Sequence, residues 1–106
     1  NELAALGAAR ILRQMGQLDR AQTILEPFAQ AREPPTDVAA EMGRLAMDRG
    51  DFPSAERWLE RAGVEQTRDP DLLMSAVRLL GLQGKSPEVE RFFNRMAAVG
   101  GLFLEE

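Results

Sequence analysis

The sequence predicts an all-α fold built from three consecutive helical hairpins. Gly16, Gly50 and Gly84 are spaced 34 residues apart, and apolar residues recur at matching distances before and after each of them. Prolines and aspartates stand between the segments defined in this way, where they favour turns over a continuing helix. A repeated period of this length is typical of chains that stack one helical unit on the next.

The period divides the chain into three rows, which together form a single domain spanning residues 1–106. The rows are residues 2–35, 36–69 and 70–103. In each row the central glycine separates two segments whose apolar residues recur at helical spacing, and glycine ends a helix at little steric cost. We therefore expect six antiparallel helices, at residues 2–15, 18–31, 36–49, 52–64, 70–83 and 86–98.

Residues typical of helix ends support these bounds. Asp51 and Ser86 are suited to cap the helices that follow them. Pro53 and Pro87 fall in the first turns of the same helices, where the missing N–H is harmless. The pairs Pro34-Pro35 and Asp69-Pro70 mark the boundaries between rows, because the residue before a proline is biased away from helix.

Each first helix carries an apolar stripe that we expect to face the core. Its members are Ala5, Ala8, Leu12, Ala39, Met42, Ala46, Leu73, Ala76 and Leu80. On the second helices, Ile24, Trp58 and Phe92 form a column at the same 34-residue spacing. We interpret this column as packing between neighbouring rows, because large apolar side chains at helical spacing are usually buried.

The composition argues against several classes of function. The chain has a net charge of −4 and contains neither histidine nor cysteine. It therefore lacks the commonest general base, the commonest metal ligand and any thiolate, and it has no glycine-rich phosphate loop. We predict no enzymatic activity, no catalytic residue, no metal and no cofactor; acid–base chemistry by paired carboxylates such as Glu41 and Asp48 is the remaining enzymatic alternative. No apolar run approaches the ~20 residues that span a bilayer, so no membrane span is expected.

The second row resembles a tetratricopeptide repeat (TPR). The residues that carry the resemblance are Gly43, Gly50, Asp51, Phe52, Ala55, Leu59 and Ala62. Rows one and three share fewer of these positions, and the resemblance extends from residue 2 to about residue 98. It implies a right-handed α-solenoid whose first helices line a concave groove for a protein or peptide segment, within a larger bacterial TPR protein.

One column of the expected groove is uniform, with Arg10, Arg44 and Arg78 spaced 34 residues apart. Because a guanidinium group binds a carboxylate through two parallel hydrogen bonds, this column favours an acidic or carboxylate-bearing partner segment. Leu6 is a neighbouring groove candidate. The predicted partner-binding residues are Arg10, Arg13, Gln14, Glu41, Arg44, Met47, Asp48, Met74 and Arg78.

A simpler interpretation of these arginines stays open. They are either solvated or paired with nearby carboxylates such as Glu41, Asp48 and Asp71, and exposed pairs of this kind contribute little to stability.

The resemblance leaves the partner and the compartment open. Repeat scaffolds of this kind occur in the bacterial cytoplasm and periplasm, including envelope and exopolysaccharide-export assemblies. A different class of function is single-stranded RNA binding of the pentatricopeptide type, which the row-three segment VERFFNRMAAVG resembles. The acidic balance and the 34-residue period argue against nucleic acid, because backbone binding requires a positive surface.

Neither end of the predicted stack has an obvious polar cap, which repeat arrays need at their ends. We expect the apolar tail Leu102-Phe103-Leu104, after Gly100-Gly101, to begin a seventh helix. The alternative is that exposed apolar residues at the ends of the stack bind another copy of the chain.

Overall fold

The computed structural model describes residues 1–100, and these residues form six α-helices and no strand. The helices are α1 (Glu2–Gln14), α2 (Leu18–Ala29), α3 (Thr36–Arg49), α4 (Phe52–Arg61), α5 (Pro70–Leu82) and α6 (Ser86–Gly100). The all-α fold and the six predicted helices are confirmed. The predicted seventh helix lies outside the described residues.

Predicted and observed helix ends differ by three residues at most. The largest difference is at α4, which ends at Arg61 rather than at residue 64. Gly63 has φ = 84°, a left-handed conformation that a right-handed helix does not contain. The predicted bound at residue 64 passed over this glycine.

Consecutive helices pack as three hairpins: α1 with α2, α3 with α4, and α5 with α6. The three turns share one geometry, centred on Gly16, Gly50 and Gly84 with φ between 74° and 82°. In each turn the residue after the glycine donates its N–H to the carbonyl four residues before the glycine, at 2.8–3.0 Å. Only glycine adopts this φ without strain, so the 34-residue glycine period reports a repeated turn.

The helices group into two compact units. Unit 1 comprises residues 1–62, and unit 2 begins at Gly63. In unit 1, α3 packs against α1, α2 and α4. One core cluster of unit 1 comprises Leu6, Ala9, Ala21, Leu25, Ala29, Val38, Met42 and Leu45. Trp58 of α4 packs against this core, as expected for the aromatic column. The first two hairpins are therefore joined by an apolar interface.

The position of the stripe on α1 differs from the prediction. Ala8 is exposed, whereas Leu6 and Ala9 are buried. Leu6, a groove candidate in the sequence, thus belongs to the core. The residue 34 positions after Ala8 is Met42, which packs on the first hairpin. Within unit 1 no helix covers the corresponding side of α1, so the same stripe that is buried on α3 is open to solvent on α1.

Unit 2 consists of the loop of residues 63–69 followed by α5 and α6, whose largest buried side chains include Leu72, Leu73 and Phe92. Arg95 of α6 donates hydrogen bonds to the carbonyls of Val64 at 3.3 Å and Thr67 at 3.0 Å. Its guanidinium group also lies 5.0 Å from the centre of the Phe92 ring. Arg95 therefore holds the loop against α6, because buried carbonyl groups of a loop need hydrogen-bond donors.

Replacement of Gly43 by alanine is expected to destabilise unit 1. A Cβ at this position of α3 would lie 2.9 Å from Leu59 Cδ2 and 3.5 Å from Trp58 Cβ, so the buried Leu59 side chain or α4 itself would have to shift. Overpacking of this kind costs about 1–3 kcal/mol. Gly7→Ala is the matched control, because a Cβ there meets no atom within 4 Å and alanine favours helix by about 0.5–1 kcal/mol. Urea unfolding of both variants checks this; equal stabilities would contradict the close α3–α4 contact.

The N-cap of α4 is expected to make stability depend on pH. The Asp51 carboxylate accepts a hydrogen bond from the Ser54 N–H at 3.3 Å, and the hydrogen bonds from Ser54 lower the pKa of Asp51. A lowered folded-state pKa adds stability above the unfolded pKa, and this contribution is lost as pH falls through the folded value. Asp51→Asn keeps a capping oxygen that does not titrate. The difference in Tm between the wild type and Asp51→Asn should therefore change between neutral pH and about pH 3; a difference independent of pH would contradict this role.

Candidate functional site

A buried carboxylate lies at the contact between α1 and α3. The Glu41 side chain on α3 is 0% exposed, and a buried charge is tolerated only when it is paired. Arg13 of α1 donates from Nε to Glu41 Oε2 at 2.5 Å. Arg44, one turn further along α3, donates from Nη1 to Glu41 Oε1 at 3.2 Å. Arg10 Nε lies 3.5 Å from the same Oε1.

Asp48 completes this group, which we name the Glu41 cluster: Arg10, Arg13, Glu41, Arg44 and Asp48. Arg13 Nη1 donates to Asp48 Oδ2 at 3.3 Å, so Arg13 bridges both carboxylates. Glu41 and Asp48 are seven residues apart and share one face of α3, while Arg10 and Arg13 share one face of α1. The packing of α1 on α3 brings the two faces together.

The environment of Arg13 is set by burial and by two negative charges. Burial works to lower the pKa of Arg13, but the hydrogen bonds and charges of Glu41 and Asp48 outweigh it and raise the pKa above its ordinary value. Arg13 is therefore a permanent cation. Its side chain is 14% exposed, and its role is to neutralise the two carboxylates rather than to meet solvent.

Of the five residues of the Glu41 cluster, three carry a positive charge and two carry a negative charge. The side chains of Arg13 and Arg44 are 14% and 15% exposed, whereas that of Arg10 is 48% exposed. A guanidinium group carries five N–H donors, more than one carboxylate oxygen uses. Arg10 is thus the member of the cluster best placed to meet a carboxylate from outside.

The other predicted groove residues lie in different environments. Gln14 is exposed near the end of α1, and Met47 on α3 is buried. Met74 and Arg78 are exposed on α5, in unit 2. Within unit 1 the structure therefore brings together five of the seven predicted residues that lie there, and Arg10 and Arg44 share one acceptor oxygen.

Sequence reasoning named Glu41 among the carboxylates with which the arginines of the column pair, and the structure shows this pairing for Arg10 and Arg44. It did not predict that the carboxylate is buried. The residues 34 positions before and after it are Gly7 and Ser75. The available signal was a glutamate, close in sequence to Arg44, at a repeat position where the other two rows have small residues. No comparable signal in the sequence marks Arg95 as the residue that holds the loop against α6, because its acceptors are backbone carbonyls.

Neither a metal-binding group nor a membrane-spanning helix occurs within residues 1–100. No group of three or more acidic, histidine or cysteine side chains there is arranged to hold a metal ion. None of the six helices combines the length and the apolar character that a membrane crossing requires.

Comparison of the chain with protein-family models, with curated proteins and with solved structures gives no match. The similarity to tetratricopeptide repeats therefore remains a prediction from the residues of the second row.

Replacement of Glu41 by glutamine is expected to destabilise unit 1 strongly. The change removes the charge that compensates three arginines, two of them mostly buried. Loss of one partner from a buried ion pair costs about 3–5 kcal/mol, and the partial exposure of Arg10 favours the lower value. Glu60→Gln on α4 is the control, because Glu60 is exposed and such changes usually stay within about 0.5 kcal/mol. Thermal and urea unfolding measure both; a Glu41→Gln variant as stable as the control would show that the cluster does not hold α1 on α3.

Proposed function

We propose that this chain is a protein-binding scaffold of the tetratricopeptide type, and that the α1–α3 surface around Arg10 binds an acidic or carboxylate-bearing segment of a partner. The observation that carries the proposal is the Glu41 cluster, with its three arginines and its half-exposed Arg10. A solenoid arrangement of the three hairpins, with the first helices along a groove, is part of the same proposal.

The repeated turn geometry supports the scaffold hypothesis. Three hairpins with the same left-handed glycine and the same turn hydrogen bond are what a translational repeat requires. Scaffolds of this kind present an extended surface rather than a closed pocket. Participation in a larger assembly, such as a bacterial envelope or exopolysaccharide-export complex, is consistent with this function.

The Glu41 cluster supports recognition of a carboxylate in two ways. Glu41 holds three arginines in fixed positions, so less side-chain entropy is lost when a ligand binds. Glu41 itself is 0% exposed and is already paired with Arg13 and Arg44. A negatively charged ligand would therefore meet Arg10 first.

A labelled hexaglutamate peptide tests the proposal by fluorescence anisotropy at low and at moderate salt. Arg10→Gln should weaken binding about tenfold, because a hydrogen bond to a charged group contributes about 1.5–3 kcal/mol. Arg32→Gln is the matched control; it removes the same charge from an exposed position outside the Glu41 cluster. Equal losses for both variants would show that the peptide responds only to net charge, and absence of binding by the wild type would remove the acidic-segment hypothesis.

Single-stranded RNA is the competing ligand, and it is tested with a 12-nucleotide oligomer under the same conditions. Nucleic-acid binding would be tight and would weaken steeply with salt. That result, without binding of the peptide, would replace the scaffold proposal by the pentatricopeptide-type function.

A further inference from the structure

An apolar stripe on α1 is open to solvent although it lies on a helix with a well-packed opposite side. It consists of Leu3, Ala4, Gly7, Ala8, Ile11 and Met15, all exposed. Leu3, Ile11 and Met15 are 77%, 60% and 62% exposed. The spacing of three or four residues places these positions along one side of the helix, and none of them is charged. We name this stripe the leading face.

The 34-residue period relates the leading face to a buried surface of α3. Ala4, Ala8 and Ile11 correspond to Val38, Met42 and Leu45 on α3. Those three residues are 0%, 6% and 1% exposed, and they belong to the core shared with the first hairpin. The leading face is thus the counterpart, on α1, of a surface that already packs against a helical hairpin within unit 1.

The residues of the first hairpin that pack on this surface of α3 also have exposed counterparts, two periods later in the sequence. Leu6 and Leu25 of the first hairpin contribute the other half of the core and are 5% and 0% exposed. Two periods later stand Met74 and Phe93, which are 50% and 45% exposed. We name Met74 and Phe93 the trailing face. In the third row they occupy the positions of Leu6 and Leu25, through which the first hairpin packs on α3.

We propose that the trailing face of one copy of this chain docks on the leading face of a second copy, in the manner in which the first hairpin packs on α3. The two faces differ, so the contact is heterologous: neither face binds its own kind. The small residues Ala4, Gly7 and Ala8 allow a close approach of the docking hairpin. This inference is independent of the ligand that the Glu41 cluster binds.

Sedimentation velocity over a range of protein concentrations tests the proposal with the 106-residue chain. The wild type should associate with increasing concentration. Ile11→Glu blocks the leading face and Phe93→Glu blocks the trailing face, and each variant alone should be monomeric because a buried unpaired carboxylate is costly. Thr36→Glu is the control; it adds the same charge at an exposed helix N-terminus and should associate like the wild type.

Mixing the two blocked variants gives the decisive measurement. Each variant retains the face that the other has lost, so an equimolar mixture should form dimers and nothing larger. A mixture that stays monomeric while the wild type associates would show that the contact is not between leading and trailing faces. A wild type that stays monomeric up to about 1 mM would remove the proposal altogether, since weaker contacts have little specificity. Circular dichroism checks that all variants keep their helices.

Discussion

The packing of α3 is the constraint on which most of unit 1 depends. The first hairpin buries Leu6 and Leu25 against α3, so the stability of unit 1 depends on the contact between its two hairpins. α3 contacts α1, α2 and α4, and it supplies Val38, Met42 and Leu45 to the shared core. Its contact with α4 is close because Gly43 has no side chain where Leu59 and Trp58 approach.

α3 also places one charged side chain in this otherwise apolar contact. Glu41 is as inaccessible to solvent as the apolar residues around it. The free-energy cost of burying its charge is offset only because arginines from α1 and α3 surround it. An apolar residue at this position would fill the contact as well, but it would leave the arginines without an anchor. The buried carboxylate therefore links the stability of the hairpin contact to the arrangement of the surface charges.

Much of the fold could be predicted from the sequence, because Gly16, Gly50 and Gly84 mark turns by local backbone chemistry alone. The candidate site could be predicted only in outline. Arg13 and Glu41 are 28 residues apart, and the distance between their side chains depends on how α1 packs on α3. Periodicity likewise shows that α1 has apolar residues, but it does not show whether Leu6 or Ala8 faces the neighbouring hairpin, because that depends on which sides are covered.

The position of Trp58 has a consequence for spectroscopy. It is the one tryptophan of a chain without tyrosine, and it packs against the core between the first two hairpins. Emission excited in the red edge of the indole band therefore reports on unit 1 alone, while far-ultraviolet ellipticity sums the helices of both units. The two optical signals from a single sample distinguish a cooperative melting of the whole chain from a stepwise one.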